Sequence, residues 1–163
     1  MKTLLILRHA KSSWDQPNLA DHDRPLTKRG KRDSFRMGDL AKEEGISPDL
    51  IISSTAKRAR STVKRFAEAN DFNCEIKFTR DLYLAGTQDY IDLLRGLDSD
   101  IESVMVVGHN PGLEELLDEL TGESLWLPTT ALARVALPIQ KWNELTDETE
   151  GKLVNFWKPR DLG

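Results

Sequence analysis

The chain has one cysteine in 163 residues and no long apolar run, and its positive charge is not in excess. The lone Cys74 excludes an intrachain disulfide and cannot hold a zinc ion by itself, which suits a reducing compartment. It reads as a small, half-buried strand residue. No window approaches the length of a membrane span. The N-terminal apolar stretch is short, preceded by one lysine and followed at once by Arg8 and His9, so it does not make a signal peptide. Lys and Arg number 23 against 27 Asp and Glu, a net charge of −4. A protein with that balance is not built to attract nucleic acid, and any basic feature must be local. Neither repeats nor low-complexity segments interrupt the chain, and its length is that of one domain. A single domain over 1–163, cytoplasmic and without a membrane partner, is the expectation.

What is present is an alternation of short apolar runs with helical patterns. Thr3 to Leu7 reads as a fully buried strand. A polar loop from Lys11 to Thr27 leads to a helix from about Lys28 to Glu44, closed by Gly45, with Phe35, Met37, Leu40 and Ala41 as its apolar stripe. Lys28, Arg29, Lys31 and Arg32 at its start read as a solvated face. Leu50 to Ser53 is a second buried strand, Ala56 to Ala69 a helix, Glu75 to Phe78 a further strand, and Thr87 to Leu97 a helix. Ser103 to Val107 is the third clearly buried strand. Pro111 can start the helix Leu113 to Leu120, because its missing donor is unneeded in a first turn. The tail changes period: Ala131 to Leu137 and Lys152 to Trp157 look like strands, joined around Trp142 into a hairpin-like edge. Crossovers too long for hairpins predict an α/β fold in three layers, a mostly parallel central sheet with helices on both faces.

Each of the three buried strands ends in polar residues with chemical potential. Arg8 and His9 follow the first, Ser53 and Ser54 lead to Arg58 after the second, and Gly108 and His109 follow the third. Parallel strands place those ends on one side of the sheet, where open α/β folds bind ligands. Taken singly, each has an ordinary reading: a surface pair at Arg8-His9, a satisfied turn histidine at His109, a solvated helix face at Lys57 to Arg60. Together they bring two imidazoles and two guanidinium groups to one crevice of an acidic protein, and a compact dianion is the natural occupant. A neutral imidazole can attack phosphorus, and arginines can clamp the equatorial oxygens. His9 is the candidate nucleophile, with Arg8, Arg58 and His109 stabilising the transferring group. This chemistry requires no metal and no cofactor.

The same residues carry a family resemblance. Leu7-Arg8-His9-Ala10, the run Ser53 to Thr62 with its Arg-Ala-x-x-Thr at Arg58 to Thr62, and Val107 to Pro111 together resemble the histidine phosphatase superfamily, which has the phosphoglycerate mutase-like fold. Asp21 to Thr27 and Pro128 to Ala131 are most similar to its SixA-type phosphohistidine phosphatase branch, and the match runs over essentially the whole chain. The resemblance implies phosphoryl transfer to His9 and then to water, with Arg8, Arg58 and His109 completing the phosphate pocket. Asp21 and Arg24 match loop positions that would rim it and bind substrate; equally, Asp21, Asp23 and Arg24 could pair with one another to shape the loop before Pro25.

The chain departs from many superfamily members in one respect. Where they carry a glutamate that protonates a leaving alcohol, it reads Asp81 to Gly86 with no glutamate. An alkoxide needs a positioned acid, whereas an imidazole protonated on its other nitrogen leaves phosphorus as a neutral molecule. The absence favours phosphohistidine on a signalling or phosphotransfer protein, although Asp81 or Asp21 remains available as a proton donor. No insertion is long enough to fold into a lid, so the crevice should be open to a protein substrate, with Trp14 and Trp126 in loops that flank its mouth. Two alternatives stand beside this reading: a phosphatase of small phosphate esters, and a non-catalytic module that recognises phosphorylated partners.

Overall fold

The computed structural model of the protein describes residues 1–71 and 73–162. Six strands form one sheet: β1 (Lys2–Arg8), β2 (Leu50–Ser54), β3 (Glu75–Thr79), β4 (Ser103–Gly108), β5 (Leu132–Leu137) and β6 (Lys152–Trp157). Among the described residues four α-helices accompany them: α1 (Lys28–Glu43), α2 (Lys57–Asn70), α3 (Thr87–Arg95) and α4 (Gly112–Thr121). The order across the sheet is β3-β2-β4-β1-β5-β6, with β3, β2, β4 and β1 mutually parallel, β5 antiparallel to β1, and β6 antiparallel to β5. The expected mostly parallel sheet is therefore present, with the tail strands as its antiparallel end.

Alternation along the central strands builds two cores. Leu4 and Ile6 of β1, with Val104 and Val106 of β4, face one side, where Tyr90 and Leu94 of α3 and Leu113 and Leu117 of α4 cover them. Leu5 and Leu7, with Met105 and Val107, face the other, against Met37 and Ala41 of α1 and Val63 and Phe66 of α2. Strands buried on both faces give continuous apolar sequences, which is why β1, β2 and β4 were legible as strands. Element ends move by one or two residues from expectation. Helix α3, for example, stops at Arg95, with Gly96 as its C-cap.

The apolar stripe expected on α1 is only half correct. Met37 and Ala41 are fully buried, but Phe35 is 46% exposed. The inward face is instead made of small and polar residues, Gly30, Asp33, Ser34 and Gly38 among them. Close helix packing is the cause: a Cβ on Gly38 would lie 2.5 Å from the Phe66 carbonyl oxygen and 2.7 Å from Ala69 Cβ on α2. Phe35, about 100° around the helix from Ser34, is turned to solvent.

The tail is held from both sides. β5 pairs with β1 and β6 pairs with β5, and between them the fully buried Trp142 donates its indole N–H to the Ile101 carbonyl at 2.7 Å. Among the described residues no helix is long and apolar enough to cross a membrane.

Candidate active site

β1 and β4 are neighbours, in a register that sets Arg8 opposite Gly108. The residue after each is therefore a histidine at the same level of the sheet, and the His9 and His109 ring centroids lie 5.0 Å apart. Gly108 is needed there, since a Cβ at that position would meet the Tyr90 hydroxyl at 2.1 Å. A cavity of about 250 Å³ opens over the two rings, lined also by Arg8, Arg58, Arg24 and Asn110. The structure thus brings together His9, Arg8, Arg58, His109 and Arg24, drawn from four separate segments of the chain.

Each ring has one nitrogen engaged by a neighbouring group. His9 Nδ1 lies 2.8 Å from the Ala10 carbonyl oxygen, an acceptor only, so Nδ1 carries the proton and Nε2 keeps its lone pair. Ser54 Oγ accepts the Ala56 N–H and lies 2.8 Å from His109 Nε2, so its own proton is free to be donated to that nitrogen. With Ser54 as the donor, the His109 proton sits on Nδ1, which is buried without a partner among the described residues. Arg8 Nε and Thr130 Oγ1 are likewise buried and unpartnered, although Arg8 Nη1 donates to the Leu127 carbonyl at 3.0 Å. An unsatisfied buried donor costs about 1–3 kcal/mol, so such a cluster is expected where a ligand completes the bonding. Thr130 also sits at φ 66, in the left-handed region, while its N–H donates to the Arg8 and His9 carbonyls at 3.1 Å. Strain of this kind gathers at functional sites.

Burial pushes the His9 imidazole down to about 3, and nearby His109, Arg58 and Arg8 add to the shift. Burial and Arg58 likewise hold His109 at about 4, against the pull of Asp21. Both rings are neutral near pH 7. In an unfolded chain they titrate near ~6.5, so between about pH 6.5 and 4.5 unfolding takes up protons that the folded protein lacks. Stability is therefore flat above that range and falls with pH inside it, by up to about 1.4 kcal/mol per pH unit for each histidine. Denaturant unfolding at pH 7.0, 6.0, 5.0 and 4.5 measures the slope, which His9→Gln reduces by about half. An unchanged slope in that variant would mean His9 is not held neutral.

Asp21 pairs with Arg24 in the loop and does not line the cavity. Its carboxylate accepts from Arg24 Nη1 at 3.1 Å, from Arg58 Nη2 at 3.0 Å and from the Tyr83 hydroxyl at 2.5 Å. Burial alone would raise it, but hydrogen bonds from Tyr83, Arg58 and Arg24 prevail and bring it to about 2. It is ionised at working pH, which removes it as a ready proton donor. It stands behind the arginines and aims them, while Arg24 forms part of the cavity wall. Arg24 is pinned further by Ser12 Oγ at 2.7 Å, the Ser13 carbonyl at 3.1 Å and the Trp14 ring, whose centroid is 3.2 Å from the guanidinium carbon. The loop triplet expected to pair internally does so only in part, because Asp23 lies 3.6 Å from His22 Nδ1 instead of reaching Arg24. Asp81 lines a different depression, with Asp89 and Asp92. The turn of Arg80–Leu82 carries it away, and Leu84, at φ 55, reaches the cavity in its stead.

Several lining residues had not been singled out from sequence: Lys11, Ser12, Leu84, Asn110 and Thr129. Asn110 and Thr129 sit inside motifs that pointed to the site; Leu84 and Tyr83 carry no local signal. Trp14 and Trp126 are 71% and 69% exposed, so neither is spent on the core.

Residues 4–83 match the histidine phosphatase superfamily (branch 1). An uncharacterized chloroplastic protein of Arabidopsis thaliana is 36% identical over 152 residues, spanning 88% of this chain and 70% of that protein. An uncharacterized protein of Mycobacterium leprae is 28% identical over 167 residues, 94% of this chain and all 100% of the other. Among solved structures, the SixA protein of Agrobacterium tumefaciens aligns with TM-score 0.84 and 32% identity, over 97% of this chain and 98% of that one. The protein histidine phosphatase SixA complexed with tungstate shares the fold, with TM-score 0.84 at 23% identity over 99% of each chain. With the paired histidines and arginines already in place, these relations mean that the chain belongs to the histidine phosphatase superfamily, in its SixA-type branch.

Proposed function

We propose that the protein is a phosphohistidine phosphatase acting on phosphorylated histidine in a protein partner, through a phosphoenzyme on His9. The carrying observation is the absence of a carboxyl group among the described residues that line the cavity, beside an Asp21 held ionised at about 2. An alkoxide leaving group would lack its acid. A phosphohistidine needs none from the enzyme when its distal ring nitrogen is protonated, because it then departs as neutral imidazole.

In the first step the His9 Nε2 lone pair bonds to phosphorus as the bond to the substrate nitrogen breaks. Arg8 and Arg58 neutralise the equatorial oxygens, and His109 Nδ1–H donates to one of them. Positive charge that develops on the His9 ring is met by the Ala10 carbonyl at Nδ1. In the second step water attacks phosphorus and His9 departs as neutral imidazole, still holding its Nδ1 proton; the water proton passes to phosphate or solvent. Both leaving groups are imidazoles, so one set of contacts serves both steps.

A protein substrate fits a cavity that reaches the surface beside exposed Trp14 and Leu84. The test is side-by-side turnover of free phosphohistidine, a histidine-phosphorylated peptide and a panel of phosphate monoesters. The expected result is a kcat/KM for the phosphohistidine substrates at least about tenfold above every monoester, a difference of about 1.4 kcal/mol in barrier. Preference for an alkyl phosphate would assign the enzyme to small esters instead.

A further inference from the structure

A cavity of about 630 Å³ lies apart from the one that holds the histidines. It runs between α2 and β3, the edge strand of the sheet, on a floor of Val63, Ala67, Ile76 and Phe78. Phe78 is 47% exposed and so presents apolar surface at the groove. Arg60 and Lys64 stand along its rim, one helical turn apart. Among the described residues the only α2 side chain in an ion pair is Arg58, which serves Asp21. Arg60 and Lys64 are thus uncompensated cations beside an apolar floor, in a protein of net charge −4.

The groove is joined to the candidate active site by shared elements. Helix α2 presents Arg58 to the phosphate cavity and Arg60, Val63, Lys64 and Ala67 to the groove. At the near end His22 forms the wall, bonded to Thr55 Oγ1 at 2.8 Å, and its chain neighbour Asp21 holds Arg58. From Arg58 to Ala67 the helix advances about 14 Å, which an extended peptide spans in about four residues.

We infer that this groove docks an acidic segment with an apolar face, belonging to the same protein whose phosphohistidine enters the cavity. The inference rests on the proposed phosphohistidine activity and adds to it a second contact that selects the partner. The apolar face covers Phe78 and the floor, and its acidic flank pairs with Arg60 and Lys64. The phosphate cavity alone cannot discriminate among phosphohistidines, since the phosphoryl and imidazole groups are common to all of them.

Two synthetic peptides provide the test, each chemically phosphorylated at one histidine and followed, after a four-residue spacer, by a twelve-residue arm. One arm alternates leucine with glutamate on adjacent faces of a helix; the other replaces glutamate with lysine. The expected result is a KM at least tenfold lower for the acidic arm at low salt, a difference that shrinks as ionic strength rises. The double variant Arg60→Glu, Lys64→Glu removes or reverses that preference, and Phe78→Ser raises KM for the acidic arm. In all variants kcat/KM for free phosphohistidine stays within about twofold of the parent, which separates docking from chemistry and from misfolding. Equal KM for the two arms in the parent protein overturns the docking site while leaving the activity standing. No turnover of either peptide or of free phosphohistidine, with monoesters hydrolysed, overturns the activity and the docking site with it. Self-association of the unmodified protein that the double charge reversal dissolves would give the groove to a second copy and overturn the inference.

Discussion

His9→Ala is expected to abolish the phosphoenzyme and to lower kcat by at least about 10⁴-fold, because among the described residues no other group lies where a nucleophile must stand. Among the described residues that line the cavity, the His9 Nε2 lone pair is the one ring nitrogen left free: Nδ1 of the same ring is committed to Ala10, and His109 Nε2 to Ser54. Water entering the space left by the imidazole could attack phosphorus directly, but without a base to activate it. Rapid quench with a radiolabelled phosphohistidine peptide reads the result. The parent protein traps a label that is stable in base and lost in acid, as a phosphoramidate is, and the variant traps none. Since His9 is buried, the variant's fold is checked by unfolding at pH 7, where the neutral ring makes no proton-linked contribution. A label on another residue, or turnover stopped by EDTA, would sink the mechanism.

Arg58→Ala is expected to lower kcat/KM by about 10²–10³, the range for removing one preorganised donor from a developing oxyanion. Its guanidinium is fixed by two bonds to one residue, Nη1 to the Asp21 carbonyl oxygen at 2.7 Å and Nη2 to the Asp21 carboxylate at 3.0 Å. That anchoring costs part of its donor capacity but delivers the charge in one position, which matters most where charge builds up. Arg58→Lys should recover little, because a single ammonium cannot reach Asp21 and a phosphoryl oxygen with the same planar fork. Asp21→Asn keeps the guanidinium but weakens its aim, so about a tenfold loss is expected, smaller than for Arg58→Ala. The diagnostic is the split of kcat from KM in a phosphohistidine assay. A purely structural Arg58 would lower stability and leave kcat per folded molecule unchanged.

The chain made some of this architecture plain and hid the rest for identifiable reasons. β1, β2 and β4 could be read because strands covered on both faces are apolar throughout, and α4 because Pro111 stands at its start. The stripe on α1 misled at Phe35 because helix packing there is set by Gly38 against the Phe66 carbonyl, and a glycine leaves no mark in a hydrophobic pattern. His9 and His109 were legible as partners because each follows a buried strand, and adjacent parallel strands in register level their ends. Asp21 was ambiguous between rim and loop anchor because its role depends on Tyr83, which is 62 residues away in sequence. Asp81 was a fair candidate by position and was carried away by a turn that its own sequence did not announce.

By itself the sequence determined the alternation of elements, the strand ends that bear histidine and arginine, and the family to which those motifs belong, since each depends on residues close together in the chain. Tertiary structure alone decided that both imidazoles are neutral, that Asp21 is an anchor and not an acid, and that Arg60 and Lys64, unpaired among the described residues, border an apolar groove. Desolvation and long-range hydrogen bonds set charge states and orientations, and they exist only once distant segments have been packed against one another.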